Sequence, residues 1–196
     1  MQTARIPETP KLHAQLRDAT RALHDRVEEA VGLPASVGDV EDYRRVLARF
    51  WGFHEPLETA LAEVAWGGFD FERRRRAAWA AADLQALGLS TEAIARLPRR
   101  PATRPSSVEE AWGVLYVLEG STLGGRVIRR ALQPVIGPEL ARACRFFDGR
   151  GAEGGALWRA FLAALEAGVA TEGGRSAAQK GAEGAFRDMI DWFGSA

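Results

Sequence analysis

The sequence predicts an all-α fold, a single compact multi-helix domain. Three observations carry that prediction. Apolar residues recur at three- and four-residue steps through most of the 196-residue chain, the spacing that lines up one face of a helix. Strand-like alternation is absent. Capping residues, prolines and glycines stand where one helical run must give way to the next. The length suits one domain with a sizeable core and is short for two. There is no internal repeat, low-complexity tail or composition break, so residues 1–196 are read as one domain, with 1–9 as a flexible lead.

Thr9-Pro10 puts a capping residue before a proline at the first helical position. The helix that follows has Leu12, Leu16, Ala19, Leu23, Val27 and Ala30 on one side, and Gly32 with Pro34 ends it. Asp39 opens a second helix with Tyr43, Val46, Leu47, Phe50, Phe53, Leu57, Leu61 and Val64 as its apolar set. Pro56 should bend that helix, because proline removes a backbone donor and crowds the preceding turn. A third helix is expected from about Asp70 to Leu87, stopped by Gly88, and Ser90-Thr91 caps a short fourth. Pro98, Pro101 and Pro105 mark a long loop. Ser107 with Glu110 three residues on is then a capping-box signature for one long apolar helix closed by Pro134, Gly137 and Pro138. Pro138 should begin a short helix through Phe146, with a turn at Asp148 to Gly151. Two last helices cover about Glu153 to Ala170 and Gly174 to Phe193.

The long apolar helix carries an anomaly. Val117 to Ile128 contains Gly120, Gly124 and Gly125, and each interior glycine costs about 1 kcal/mol of helix stability relative to alanine. At 100° per residue, Gly113, Val117, Gly120, Ser121, Gly124, Ile128 and Ala131 share one stripe, a shallow groove with bare backbone at its centre. Such a stripe serves either a close helix crossing, the usual use of small residues, or a flat or bulky ligand.

Composition narrows the ligand. Lys plus Arg (26) equals Asp plus Glu (26), so no overall field draws nucleic acid or anionic lipid. Basic clusters at Arg73 to Arg76 and at Arg99, Arg100 and Arg104 read as a solvated helix face and a loop. Cys144 is the single cysteine, which excludes an internal disulfide, a cysteine-only metal site and covalent Cys-x-x-Cys-His haem attachment. No apolar run approaches the roughly 18 residues of a membrane span, and Met1 to Pro10 lacks the apolar core of a signal peptide. A cytoplasmic protein without a nucleic-acid or membrane partner is expected.

Three histidines are present. His24 lies at the edge of the first helix's apolar stripe. His13 lies at nearly the same angle about three turns earlier and reads as a surface residue. His54 is central in the second helix's stripe, and periodicity makes it at least as good a buried ligand as His24. A lone histidine on an apolar face is more often a hydrogen-bonded core residue. Multi-ligand metal sites fail by counting. Pro10, Arg21 and Trp51 stand three before the histidines, so there is no Glu-x-x-His pair for a di-iron bundle. His-Glu-x-x-His and Gly-x-Ser-x-Gly are also missing. A single-histidine site survives, and one protein ligand suffices where a macrocycle supplies the other metal bonds.

Specific stretches then point to a family. Leu16-Arg17-Asp18-Ala19-Thr20-Arg21-Ala22-Leu23-His24-Asp25-Arg26-Val27-Glu28 resembles the first-helix motif of haem oxygenases, and Glu119-Gly120-Ser121-Thr122-Leu123-Gly124-Gly125 resembles their distal helix. The similarity is closest to the bacterial branch that makes bilin chromophore for bacteriophytochromes. Tyr43 to Glu58, Phe146-Phe147-Asp148-Gly149-Arg150-Gly151 and Gly155 to Phe161 are similar to later parts of that branch, so the resemblance runs from about residue 12 to 193.

The resemblance implies roles. His24 would be the proximal iron ligand of non-covalently bound haem (iron protoporphyrin IX), which is both cofactor and substrate. Gly120, Ser121 and Gly124 would form the distal wall where O₂ is activated, with Gly125 beside them. Arg17, Thr20, Arg21 and Arg159 match positions near the bound haem, the arginines suiting its propionates. Phe186 matches an aromatic wall, and Glu28 a carboxylate that orients the imidazole. Ser121 stands where animal-type relatives carry an Asp that organises distal water, and Arg150 where many relatives have Tyr. His54 becomes a core residue. The implied reaction opens haem to biliverdin, CO and ferrous iron, with O₂ as co-substrate. Electrons would come from an external donor of ferredoxin, flavodoxin or reductase type, and a bacteriophytochrome would receive the bilin. A haem carrier or gas sensor on the same fold, without turnover, is the alternative.

Overall fold

The structure is a computed structural model that describes residues 11–195. Among these, every regular element is helical. The expected start at Thr9-Pro10 and the lead 1–9 lie outside the described residues. Helix α1 spans Leu12–Val31 and ends on Gly32, whose φ of +68° supplies the left-handed cap that returns its N–H to the Glu28 carbonyl. Its first N–H groups lack an intrahelical partner, and that of Leu12 donates to Glu166 of a distant helix at 2.9 Å.

Helix α2, Val40–Ala62, is capped by the Asp39 carboxylate as the sequence predicts. It continues through Pro56 without interruption. Pro56 has no N–H for the Gly52 carbonyl, and that carbonyl instead accepts from Arg100 N–H at 3.0 Å. Gly52 permits the approach, since a Cβ there would overlap the Pro98 carbonyl oxygen.

The expected 70–87 helix is divided. A 3₁₀ turn covers Glu72–Arg74, Arg75 is extended (ψ 140°), and α3 runs over Ala77–Ala86. The division has an electrostatic cause. Buried Glu58 of α2 accepts from the backbone N–H groups of Arg76 and Ala77 at 3.0 to 3.2 Å, capping α3 from outside its own chain segment. Gly88 then stops the helix in a φ of +96°. The short α4, Thr91–Ala95, is capped by Ser90.

The expected long helix is also broken. Helix α5 is Val108–Gly120, a 3₁₀ turn covers Ser121–Leu123, and α6 is Gly125–Leu140, kinked at Ile136 between Pro134 and Pro138. Ser107 caps α5 by accepting from Glu110 N–H, while the Glu110 carboxylate answers to Ser106 instead of Ser107. The helix expected from Pro138 through Phe146 is replaced by the end of α6 and a separate α7, Arg145–Asp148. Helices α8, Gly154–Gly168, and α9, Glu172–Gly194, fall where the sequence places them.

Helix α9 is the spine, packing against α5 on one side and α1 on another. Two glycines allow α5 and α9 to touch backbone to backbone: a Cβ at Gly113 would overlap the Ala178 carbonyl oxygen, and one at Gly181 that of Glu110. The core is aromatic and leucine-rich, with Leu12, Leu16, Tyr43, Leu47, Leu115, Phe161 and Leu165 fully enclosed. These contacts hold α1 and the α5–α6 break as two walls of a cleft.

Candidate active site

The break between α5 and α6 is built by side chains. In a continuous helix the carbonyls of Leu118 and Glu119 would accept backbone N–H groups four residues on. Here Leu118 O accepts from Ser121 Oγ at 2.8 Å and from Arg76 Nη2 at 2.8 Å, and Glu119 O accepts from Thr122 Oγ1 at 2.7 Å. Hydroxyls bonding back to the preceding turn compete with the helical ladder, and the chain tightens into a 3₁₀ turn before resuming as α6.

Two cavities of 480 and 440 Å³ open along this break, each in the range of about 300–1,000 Å³ used for small-molecule and cofactor binding. Both are lined by His24, Val27, Gly120, Ser121 and Met189, so they are two lobes of one cleft. One wall is α1, which contributes His24. The other is the end of α5 and the start of α6. Phe186 of α9 meets the His24 ring edge-on, with centroids 6.0 Å apart and planes at 65°. Glu28 Oε1 lies 3.7 Å from His24 Nδ1, an ion-pair distance longer than a hydrogen bond.

The glycine stripe divides into two kinds. Gly120 and Gly124 line the cleft; a Cβ on Gly120 would come no closer than 3.9 Å to Trp158, and one on Gly124 would meet nothing. Gly113 and Gly125 are packing glycines. A Cβ on Gly125 would overlap the Phe147 carbonyl oxygen, so Gly125 serves the contact of α6 with the α7 segment and lies behind the wall rather than lining either lobe.

The first lobe carries the expected basic edge. Arg17 and Arg21 line it, are exposed, and share one carboxylate oxygen of Asp18 at 3.2 and 3.0 Å, which leaves most of their N–H donors facing outward. Thr20 lines the same lobe, but its hydroxyl is committed to the Leu16 carbonyl at 2.7 Å. Arg159 is exposed on α8, next to Trp158, and lines neither lobe. His13 is not the surface residue expected. It lines the first lobe, with its ring 5.7 Å from Trp158 and 6.0 Å from Tyr116. Burial, then Arg17, pushes its pKa down. His54 lies outside both lobes, buried and 3.0 Å from Glu58, in the core role.

Arg76 is the residue sequence reasoning missed. The run Arg73 to Arg76 reads as a solvated face, yet Arg76 is 4% exposed. Its guanidinium lies over the Phe146 ring at 5.0 Å and donates to Leu118 O and Ser121 Oγ while lining the second lobe. Tyr116, Trp158 and Met189 were also missed as lining residues. A signal for the arginines was present. Glu58 and Glu119 sit in apolar helix faces, and buried acids require cationic or hydrogen-bonded partners. The arginine run was the nearby supply.

The cleft therefore offers two imidazoles, of which only His24 lines both lobes, with a side-chain-free wall, aromatic and aliphatic lining and arginines at the rim, a donor set that fits a flat apolar metallocycle with acidic substituents. The family model described as heme oxygenase matches residues 10–195. A curated heme oxygenase from Xanthomonas campestris pv. campestris is 37% identical over 152 residues, covering 76% of this chain and 86% of its own. Among solved structures, the NO- and CO-bound heme oxygenase of Neisseria meningitidis superposes with a TM-score of 0.75 at 25% identity, covering 95% of this chain and 94% of that one. The heme oxygenase of Leptospira interrogans shares the fold, with a TM-score of 0.74 at 15% identity over 95% of this chain and 100% of its own. With the family model spanning nearly the whole sequence and a relative above a third identical, this chain belongs to the haem oxygenase family.

Proposed function

We propose that the cleft between α1 and the α5–α6 break is the site where this enzyme binds haem and opens it to biliverdin, CO and ferrous iron, with His24 as the iron ligand. One observation carries the reading: Gly120 and Gly124 present bare backbone to the same cleft that His24 lines from the other wall. Bound there, haem supplies the iron that takes O₂ and the ring that is oxidised.

The residues of the chain do the rest. Phe186 limits rotation of the His24 ring by edge contact, and Glu28, one helical turn on, stands 3.7 Å from Nδ1, where a small side-chain movement would let it accept a hydrogen bond that orients the ring. Gly120 and Gly124 let the backbone approach the opposite face closely, where a larger side chain would hold it away. Ser121 lines both lobes, and its hydroxyl joins Arg76 to Leu118 and keeps the wall broken at this point. Arg17 and Arg21 line the rim of the first lobe, where their guanidiniums would hold the haem propionates. Electrons come from an external donor of ferredoxin, flavodoxin or reductase type, and the branch similarity supports a bacteriophytochrome as acceptor of the bilin. No helix among the described residues is long and apolar enough to cross a membrane.

Addition of hemin to the purified protein tests the reading. A Soret band shifted from free hemin is expected, followed, on addition of ascorbate in air, by its loss and a biliverdin-like red absorption. Absence of the shift rejects the site. A stable Soret band under reductant rejects the oxygenase assignment in favour of a carrier or sensor.

A further inference from the structure

Arg74 ties together two parts of the cleft wall that are distant in sequence. Its Nη1 donates to the Glu119 carboxylate at 3.0 Å and to the Leu157 carbonyl at 3.2 Å. The ion pair is buried, with the two side chains 11% and 10% exposed, and the guanidinium packs over the Phe69 ring at 5.2 Å. Each acceptor is followed directly by a cleft residue. Gly120 comes after Glu119 at the end of α5, and Trp158 comes after Leu157 on α8; both line the first lobe. A Cβ built on Gly120 would meet Trp158 at 3.9 Å, so these two residues set the width of the lobe at that edge. In sequence α5 and α8 are separated by the break, α6 and α7; in space they pack directly, with Tyr116 against Trp158 at a ring-centroid distance of 5.9 Å, and Arg74 adds a polar tie beside that contact.

The geometry points to Arg74 as a positioning residue. By holding Glu119 and Leu157 on one guanidinium it fixes the Gly120–Trp158 edge, and that edge would select how haem is turned in its plane, hence which meso carbon would be oxidised. The inference rests on the haem reading above. Arginine suits the task, since its planar charged fork stays protonated when buried and bridges acceptors at fixed angles. Trp158 is itself braced by stacking on Phe161, with ring centroids 5.5 Å apart and planes at 27°. A displacement at Leu157 is therefore carried by a rigid aromatic layer into the lobe.

The test compares the wild type with Arg74→Met and Glu119→Gln, with Arg104→Met as a control, since Arg104 makes only an exposed pair with Glu63. The first readout is the proton NMR pattern of the haem methyl groups in the ferric cyanide complex, which reports in-plane seating without turnover. The second is the biliverdin isomer ratio. The wild type and Arg104→Met should share one pattern. Arg74→Met should show a second seating, with the isomer ratio moved by about tenfold, equivalent to about 1.4 kcal/mol between seatings. Glu119→Gln keeps the shape and removes the charge, and should shift both readouts in the same direction by less; it decides the matter if Arg74→Met does not fold. Unchanged methyl patterns and isomer ratios in folded variants overturn the inference alone. A wild type that leaves the Soret band of hemin unshifted overturns the haem reading and this inference with it.

Discussion

At the scale of single residues, the same amino acid does two opposite jobs within one stretch of chain. Gly113 and Gly125 exist for packing, since a Cβ at either would overlap a carbonyl oxygen. Gly120 and Gly124 have room for a side chain and lack one. Gly113→Ala should therefore destabilise the fold by about 1–3 kcal/mol, the ordinary cost of overpacking, and lower the urea midpoint. Gly124→Ala should change stability by no more than about 0.5 kcal/mol, because Gly124 caps α6 in an ordinary backbone conformation and a Cβ there meets nothing. Gly124→Leu should fold yet weaken hemin binding about tenfold or more, by filling the second lobe with an amount of side chain worth about 1.4 kcal/mol of lost fit. Equal thermal effects for Gly113→Ala and Gly124→Ala would sink the distinction. The stripe of small residues was legible in the sequence, and its division was not. Angular position on an ideal helix treats Gly113 and Gly120 alike, and only the location of α9 and the break at Ser121 separates them.

At the scale of elements, the sequence reading succeeds where a helix is ended by its own residues and fails where a distant side chain ends it. Gly32, Asp39, Gly88, Ser90 and Ser107 act locally, and each boundary falls where it was expected. The 70–87 helix is divided by Glu58, 18 residues before its first partner, and the α5–α6 break is held by Arg76, 45 residues before Ser121. Neither long-range hydrogen bond leaves a periodicity. Ser121→Ala removes the acceptor for Arg76 and the hydroxyl bonded to Leu118. It should cost about 1 kcal/mol, the ordinary loss of one hydrogen bond, because Arg76 keeps the Leu118 carbonyl as acceptor. The far-UV circular dichroism should show helix content unchanged or increased as the ladder closes over residues 121–123. A variant with wild-type stability and a wild-type haem spectrum would show that the break does not depend on this hydroxyl.

At the scale of the whole molecule, buried charge joins the core to the cleft. His54 and Glu58 pair in the core, Glu58 caps α3, and Arg76 at the start of α3 reaches the cleft wall. Burial holds the His54 pKa below its ordinary 6.5, against the opposing pull of Glu58. The folded protein thus keeps His54 neutral where the unfolded chain has begun to take up a proton. Stability contributed in this way is fully present above about pH 6.5 and is lost as pH falls towards the folded-state pKa, with a slope of up to about 1.4 kcal/mol per pH unit. Urea unfolding at pH 7.5, 6.5 and 5.5 should show that loss, and His54→Gln should flatten it; an equal slope in the variant would place the titration elsewhere. The fold class was readable from local periodicity, whereas the family and the choice of His24 over His54 came from the resemblance of whole motifs, since periodicity alone left His54 at least as good a ligand. The charged network was not readable, because the arginine run looks solvated until its acidic partners on α2 and α5 are brought beside it. The central claim is that His24 binds the iron of haem in the cleft facing Gly120 and Gly124. A hemin titration of His24→Ala, with and without added imidazole, tests it most directly. The account predicts that the wild-type ferric-haem spectrum is lost in the variant and returns when imidazole fills the vacated position; a His24→Ala protein with the wild-type spectrum in the absence of imidazole would contradict it.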